Sequence, residues 1–394
     1  MIWLSILSLM VVVPLTLINT VLLVEIALGL VPARGRQPLS GPTPLTVLLM
    51  PAHNEAVTLA RYGAQIAALA TPHRRVVLIA DNCTDTTAAD ARALGIEVVE
   101  RVDQNRRGKG YALAFGRDHL ALNPPEVALV LDADCLADPA ALDLLAARAM
   151  EADRPVQAAY LFRPALEAAP SVQISNFAFA VKNRVRQRGG QRIGAAAVLT
   201  GSGMAFPWLL FATLDLATGN VVEDLALGIA LIKRSCAPIY EDRAVVWSDC
   251  SVESGTLVQR SRWEGGFIAT AWRFAGSLIS GGIIRADWKR VWMGFHLLVP
   301  PLSLLLAINV AALAILSGLA LLTAPVAPTI LLITLLFGIL LALLGAWWVE
   351  GRRQVRGATL VRVPWYLLWK LALLLRIARG QQRVAWHRTK RPDH

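Results

Sequence analysis

The sequence predicts an α/β domain with a mostly parallel sheet, joined to transmembrane helices, one ahead of it and two or three behind. Three observations predict this. The chain of 394 residues is 55% hydrophobic, with mean hydropathy +0.51. That is too apolar for an ordinary soluble protein and too polar for a wholly embedded one. Long apolar stretches lie towards its two ends. Between them, short apolar runs alternate with helix-like stretches four times over, the pattern of a parallel sheet covered on both faces.

Residues 3–31 contain one charge, Glu25, and are long enough to cross roughly 30 Å of hydrocarbon as a helix. A linker, ARGRQPLSGPTP (33–44), follows. Next comes TVLLMPAHNEA, an apolar run broken by Pro51, then a helix-like stretch over 56–70. VVLIADNCTDTT supplies a second strand, a helical run over 86–94 leads to IEVVE, and another over 110–120 leads to VALVL. Sheets of this kind bind ligands beyond the carboxyl ends of their strands. Those ends carry Pro51 to Glu55, Asp81-Asn82, and Asp132-Ala133-Asp134. Short amphipathic stretches at 171–185 and 271–284 suit a membrane surface. Residues 297–323 and 329–349 contain no charge and read as a transmembrane hairpin. The stretch 361–378, interrupted by Lys370 and Arg376, reads as an interfacial helix, with a further span as the alternative. The division is therefore 1–31, a span; 32–290, the α/β domain with interfacial helices; 291–350, the hairpin; and 351–394, a basic juxtamembrane tail.

The net charge of +11 is concentrated in that tail: residues 351–394 carry eleven Lys and Arg against one Asp. Charge beside a membrane attracts anionic lipid. No nucleic-acid module accompanies it, so nucleic acid is not expected as a partner. Arg34 and Arg36 follow the first span and EGRRQVRG follows the last, while the TAPVAPT loop has no cation. The positive-inside rule then puts the α/β domain on the cytoplasmic side of the plasma (inner) membrane. The start lacks the basic region of a cleaved signal. Cys83, Cys135, Cys236 and Cys250 are widely spaced with no CxxC, which predicts neither a disulfide framework nor a zinc site.

The segment VLDADCLADP (130–139) holds three carboxylates. Asp132 and Asp134 suit Mg²⁺ or Mn²⁺ bound against a phosphate; turn capping is the plainer alternative. Asp138 reads as a turn acid before Pro139. Asp81 suits a base or ribose, and Thr84 or Asp85 suits a helix cap. Lys109, in RRGKG, can reach a phosphate, although the stretch does not fit the GxxxxGK[ST] loop. Glu223-Asp224 opens a buried helix, where acids also complement the helix dipole; a carboxylate there can serve as general base. In QRSRW, Arg262 suits a diphosphate and Trp263 a sugar face, or else the stretch is an ordinary juxtamembrane one.

Taken in order, PAHNE, DNCTDTT, RGKGYAL, LDADC, TGSGMAF, ED and QRSRW resemble the membrane-bound family 2 glycosyltransferases, the group of cellulose, hyaluronan, chitin and poly-N-acetylglucosamine synthases. The likeness covers about residues 45–270 and the flanking spans, and the tail WHRTKR also resembles that group's endings. It implies a GT-A nucleotide-sugar-binding fold. It implies that Pro51, Glu55, Asp81, Lys109, Asp132 and Arg262 line the donor, and that Asp134, with Asp132, holds Mg²⁺ or Mn²⁺. It implies that Asp224 is the catalytic base of an inverting displacement that forms β-linkages. Ser202, Gly203, Glu223, Gln259 and Trp263 would face the acceptor. The chain has Val222 where the family often has Thr. The implied reaction is transfer from a nucleotide-diphosphate sugar, UDP-linked by default, to a growing extracellular polysaccharide or oligosaccharide. Single transfer to a membrane lipid or lipid-linked glycan is the alternative. With so few spans, a polymer channel implies a partner subunit or homo-oligomer. A transporter or an inactive scaffold is the remote alternative, disfavoured by the intact acidic set and by the near absence of charge in the spans.

Overall fold

The computed structural model describes residues 2–32, 43–219, 222–250 and 253–366, with side chains from 263 onward in the last stretch. The chain divides into two units: Ala33–Arg163 with Ala196–Asp249, and Met1–Pro32 with Pro164–Ala195 and Cys250–His394. The first holds the sheet and the second the long helices.

The sheet has eight strands: β1 (Thr46–Ala52), β2 (Arg74–Asp81), β3 (Glu97–Arg101), β4 (Val127–Val130), β5 (Cys135–Ala137), β6 (Val156–Phe162), β7 (Met204–Pro207) and β8 (Ile239–Ser248). Their order is β3-β2-β1-β4-β7-β6-β8-β5. The first half follows the expected pattern: β1 runs parallel to β2 and β4, and β2 parallel to β3. The second half mixes directions. β7 is antiparallel to β4 and β6, and β5 to β8.

Apolar content on both faces explains the centre. Val47, Leu49, Val77, Ile79, Ala128 and Val130 are buried in one cluster with Leu113, Leu120, Phe206 and Phe211. Each fully buried Val, Leu or Ile is worth about 1.5–3 kcal/mol relative to exposure. The neighbouring positions Leu48, Met50, Leu78 and Leu129 are buried too, as expected of a strand covered on both sides. Pro51 sits in β1 without breaking it. β4 pairs with β1 only through Leu49, so Pro51 lies where β1 keeps a single partner, the place where a missing donor is tolerated.

In the second unit, four helices are long and apolar enough to cross a membrane: Ile2–Gly29, Trp263–Ile284, Leu302–Leu321 and Ala327–Val349. Where the sequence predicts a surface stretch at 271–284, the structure has the end of a 32-residue helix, Glu253–Ile284. From residue 367, the expected interfacial helix lies outside the described residues. Segment Pro164–Ala195, expected within the α/β domain, belongs to this unit. It forms a helix (Pro170–Ala180), a π-helical turn (Val181–Arg186) and another helix (Gln187–Arg192). Two polar groups tie elements of this unit together. Asn19 and Asn309 donate to each other's carbonyl oxygens at 2.7 and 3.0 Å, and Glu25 joins Arg186 and His296.

Candidate active site

The sheet unit gathers its polar groups where β4 ends. Leu131 still donates to Leu49 O. The chain then leaves the sheet in a turn closed by Cys135 N donating to Asp132 O at 2.9 Å. The backbone N–H of Asp132 is taken by Ser202 Oγ at 3.1 Å, so the Asp132 and Asp134 side chains sit beyond the strand's carboxyl edge.

The Gly201–Gly203 turn is built against this edge. Gly203 donates its N–H to Val130 O at 2.9 Å. Its φ is +69°, and a Cβ there would come within 2.8 Å of Val246 and Ala158 side chains. Gly201, at φ +85°, would set a Cβ 3.2 Å from Asp224 Oδ2 and 3.3 Å from Lys109 Nζ. Glycine is required at both places by conformation and by crowding. Lys109 opens the helix Lys109–Leu120. Its ammonium donates to Asp132 Oδ1 and, at 2.7 Å, to Gly201 O. Glu223 and Asp224 open the helix Glu223–Lys233, whose N-cap, Val222, offers no side-chain hydrogen bond. Asp224 Oδ1 accepts instead from Leu225 N at 2.8 Å.

Three carboxylates, Asp132, Glu223 and Asp224, therefore act on one ammonium, and Asp134 acts on Asp132. Burial alone would depress the Lys109 ammonium, but Asp132, Glu223 and Asp224 outweigh it and hold it above the ordinary lysine range. Burial pushes the Asp132 carboxyl up, Lys109 opposes that, and Asp134 reinforces it. Burial and Asp224 push Glu223 from 4.5 to about 7, against Lys109. A site with this excess of negative charge favours a cation.

Asp132, Asp134 and Cys135 can place ligand atoms within 4.8 Å of one another. The donors test which ion fits. Cys135 is fully buried, and burial with the two carboxylates pushes its thiol well above the usual range. It stays a thiol, and its Sγ donates to Asp134 Oδ1 at 3.4 Å. The available ligands are carboxylate oxygens, which fit Mg²⁺ or Mn²⁺.

The other predicted donor residues sit at neighbouring strand ends. Asp81 Oδ1 accepts from Arg101 Nη1 at 2.6 Å and from Asn82 Nδ2 at 3.0 Å; Oδ2 has no hydrogen bond among the described residues. Glu55 precedes the helix Ala56–Ala67 and accepts from Thr58 Oγ1. Asp85 accepts from Thr87 N at 3.0 Å and Ala56 N at 3.2 Å, so it serves the starts of two helices. Asp138 caps the helix Pro139–Ala152 through Ala140 N. Ser202, expected at the acceptor, is fully buried with its hydroxyl on the Asp132 backbone. Gln259 and Arg262 have side chains outside the described residues. Trp263 belongs to the helical unit, stacked on Phe179 at 6.0 Å.

Sequence reasoning missed Arg101, Cys135 and Gly201. Arg101 reaches Asp81 from the adjacent strand, twenty residues on. Gly201 was read with its turn, but not as the residue that clears room for Lys109 and Asp224.

A family profile described as glycosyltransferase like family 2 matches residues 42–266. No curated protein matches the chain by sequence. Among solved structures, the mannosyltransferase PcManGT from Pyrobaculum calidifontis, in complex with GDP-Man and Mn²⁺, superposes with TM-score 0.55 at 17% identity, over 93% of this chain and 99% of its own. That likeness supports the fold. Glucosyl-3-phosphoglycerate synthase from Mycobacterium tuberculosis, with Mn²⁺, UDP-glucose and phosphoglyceric acid, aligns at 19% identity over 58% of this chain and 85% of its own. Its TM-score of 0.40 is too low to add to the argument.

Proposed function

The chain belongs to the glycosyltransferase like family 2, and from that premise we propose that it is an inverting, metal-dependent hexosyltransferase. Its donor would be a nucleotide-diphosphate sugar and its acceptor a membrane-held hydroxyl. One observation carries the reading: Lys109 bridges Asp132 to the Gly201 turn, on which Asp224 also lies. The metal-side carboxylates and the candidate base are thus assembled in one unit.

Asp134 and Asp132 would hold Mg²⁺ or Mn²⁺. Bound there, the ion would neutralise the diphosphate as it leaves. Lys109 holds Asp132 in place and adds a positive charge on the same side. Glu55, Asp81 and Pro51 would line the nucleoside, Asp81 with its free Oδ2. Asp224 would take the proton of the acceptor hydroxyl as the oxygen attacks the anomeric carbon. A single displacement inverts configuration, so an α-linked donor yields a β-linkage. Burial and Asp224 push the Glu223 carboxyl up to about 7, so it keeps its proton below that pH, beside Asp224.

The four long apolar helices support a membrane setting; by the cation pattern it is the plasma (inner) membrane, with the transferase on the cytoplasmic face. Both acceptor readings remain proposals: a growing polysaccharide or oligosaccharide, completed by a partner subunit or second copy, and a membrane lipid.

The test is nucleotide release from the full chain in nanodiscs, with a panel of uridine- and guanosine-diphosphate sugars and Mn²⁺ or Mg²⁺. Metal-dependent release from one donor, abolished by Asp224→Asn, is expected. Undiminished release in that variant would remove Asp224 from its role.

A further inference from the structure

The helical unit encloses a cavity of about 340 Å³. Its walls come from the first span, the helix Pro170–Ala180, the π-helical turn, the 263–267 stretch, the 299–306 stretch and the last span. Almost all of them are apolar or aromatic, including Phe267, Leu306 and Trp347. Ordered water needs two to four polar partners per molecule, and these walls offer few. Hydrocarbon fits them.

The polar groups define the rest of the occupant. Among the described lining residues the charged ones are Lys182, Arg186 and Glu264. Arg186 is 7% exposed. Its Nε donates to Glu25 Oε2 at 2.6 Å and its Nη2 lies 3.1 Å from His296 Nδ1. Its Nη1 has no hydrogen-bond partner among the described residues. The charge of Arg186 is already answered by Glu25, and Lys182 and Glu264 have opposite signs. Among the described lining residues, no net positive charge is left for a phosphate. What remains among the described lining residues is the Arg186 Nη1 donor and the buried Ser303 hydroxyl, which has no hydrogen-bond partner among the described residues; in a greasy chamber such groups call for an uncharged oxygen on an aliphatic body. The π-helical turn that carries Lys182 and Arg186 is itself a rare conformation often found at functional sites.

We propose that this cavity holds the chain of an uncharged, hydroxyl-bearing membrane lipid, one of whose oxygens accepts from Arg186 Nη1, and that this lipid is the sugar acceptor. The acceptor role rests on the transferase reading above. In that step the lipid oxygen bonds to the anomeric carbon, the carbon–oxygen bond to the nucleoside diphosphate breaks, and the hydroxyl proton passes to Asp224.

The experiment uses the full chain in phosphatidylcholine nanodiscs doped with diazirine-bearing diacylglycerol, with cross-links mapped by mass spectrometry and transfer followed with labelled donor. Cross-links on the cavity walls are expected, displaced by excess diacylglycerol. Leu306→Trp and, separately, Ala178→Phe fill the space. Each should lower cross-linking and lipid transfer at least tenfold while leaving the donor KM unchanged, which also shows that the sheet unit is folded. Equal labelling by diazirine phosphatidylcholine, or labelling by a phosphate-headed lipid that diacylglycerol does not displace, would overturn the uncharged occupant. Undiminished transfer to lipid in both filled variants would overturn the acceptor role. Cross-linking as expected, with no nucleotide released from any donor, would sink the transferase reading and leave the lipid site standing. Transfer to a soluble glycan alone, with no cavity labelling, would do the reverse.

Discussion

The two units each hold a cluster of charge, half-buried in the sheet unit and buried in the helical one, and the clusters are built on opposite principles. In the sheet unit, Asp132, Glu223 and Asp224 act on a single ammonium, that of Lys109, with Asp134 beside Asp132. Negative charge is in excess, and the helix start at Glu223 adds no side-chain cap. In the helical unit, Glu25 is matched. Oε2 accepts from Arg186, and Oε1 from Trp292 Nε1 at 3.0 Å, with His296 Nδ1 2.8 Å away. His296 Nε2 is left buried in that cluster without a hydrogen bond among the described residues. A matched cluster holds helices in register. An unmatched one costs stability unless something else supplies the missing charge. The difference teaches where to look for chemistry: in the cluster that does not close on itself.

The largest effect should come from the unmatched cluster's base. Asp224→Asn is nearly isosteric and keeps the acceptor for Leu225 N, so folding should survive. If Asp224 is the general base, kcat should fall about 10²–10⁴-fold with donor KM almost unchanged, read by nucleotide release. Removing the metal should act as severely. Chelation should abolish release and added Mn²⁺ restore it, while Asp134→Asn should weaken Mn²⁺ binding measured calorimetrically. An Asp134→Asn variant that binds Mn²⁺ as tightly as the parent would break the comparison, because the excess charge would then have another purpose.

The matched cluster should respond in stability rather than in chemistry. Glu25 is 1% exposed. Glu25→Leu strands the Arg186 guanidinium, a loss on the order of 3–5 kcal/mol, seen as a lower melting temperature in detergent. The double variant Glu25→Leu with Arg186→Met should recover most of it, since replacing both partners of a buried pair is far milder than removing one. The donor KM of the folded fraction should hold in each. Recovery in the double variant would confirm that this charge pair serves structure; a double variant as unstable as the single one would show that the cluster is valued for more than its pairing.

How far each cluster was visible in the sequence follows from what made it. β1, β2 and β4 are apolar runs buried on both faces, and such runs announce themselves. Their carboxyl ends put Asp81, Asp132 and Asp134 on one edge before any coordinates. β5 and β7 have three and four residues. Strands that short are set by their partners, so the antiparallel half of the sheet was not legible. The candidate span Trp263–Ile284 carries Glu264 and Arg273 and a mean hydropathy of 1.3, against 2.4 or more for the others, so its length did not stand out. Glu25 stood out as the charge in a span, but Arg186 and His296 lie 161 and 271 residues away. Ser202 was placed at the acceptor by the family resemblance alone. It is fully buried, held by long-range bonds from the Asp132 N–H to its hydroxyl and from Gln157 Nε2 to its carbonyl oxygen.

The smallest effect sharpens the comparison most. Glu223 is pushed from 4.5 to about 7 by burial and Asp224. Below about 4.5 the carboxyl is protonated in both folded and unfolded chains and contributes nothing to the difference. Between about 4.5 and about 7 the unfolded chain releases the proton while the folded chain keeps it, so stability falls as pH rises; above about 7 the loss is complete and constant. Glu223→Gln has no such proton to hold. Its melting temperature should therefore pull ahead of the parent's across that window, and the two curves should run parallel on either side. Mn²⁺ bound by Asp132, a carboxylate already felt at Glu223, should draw the window to lower pH, because a nearby positive charge favours the ionised form. A melting difference that is flat with pH would mean that Glu223 titrates as an ordinary surface acid. The excess of negative charge that separates the two clusters would then be smaller by one carboxylate.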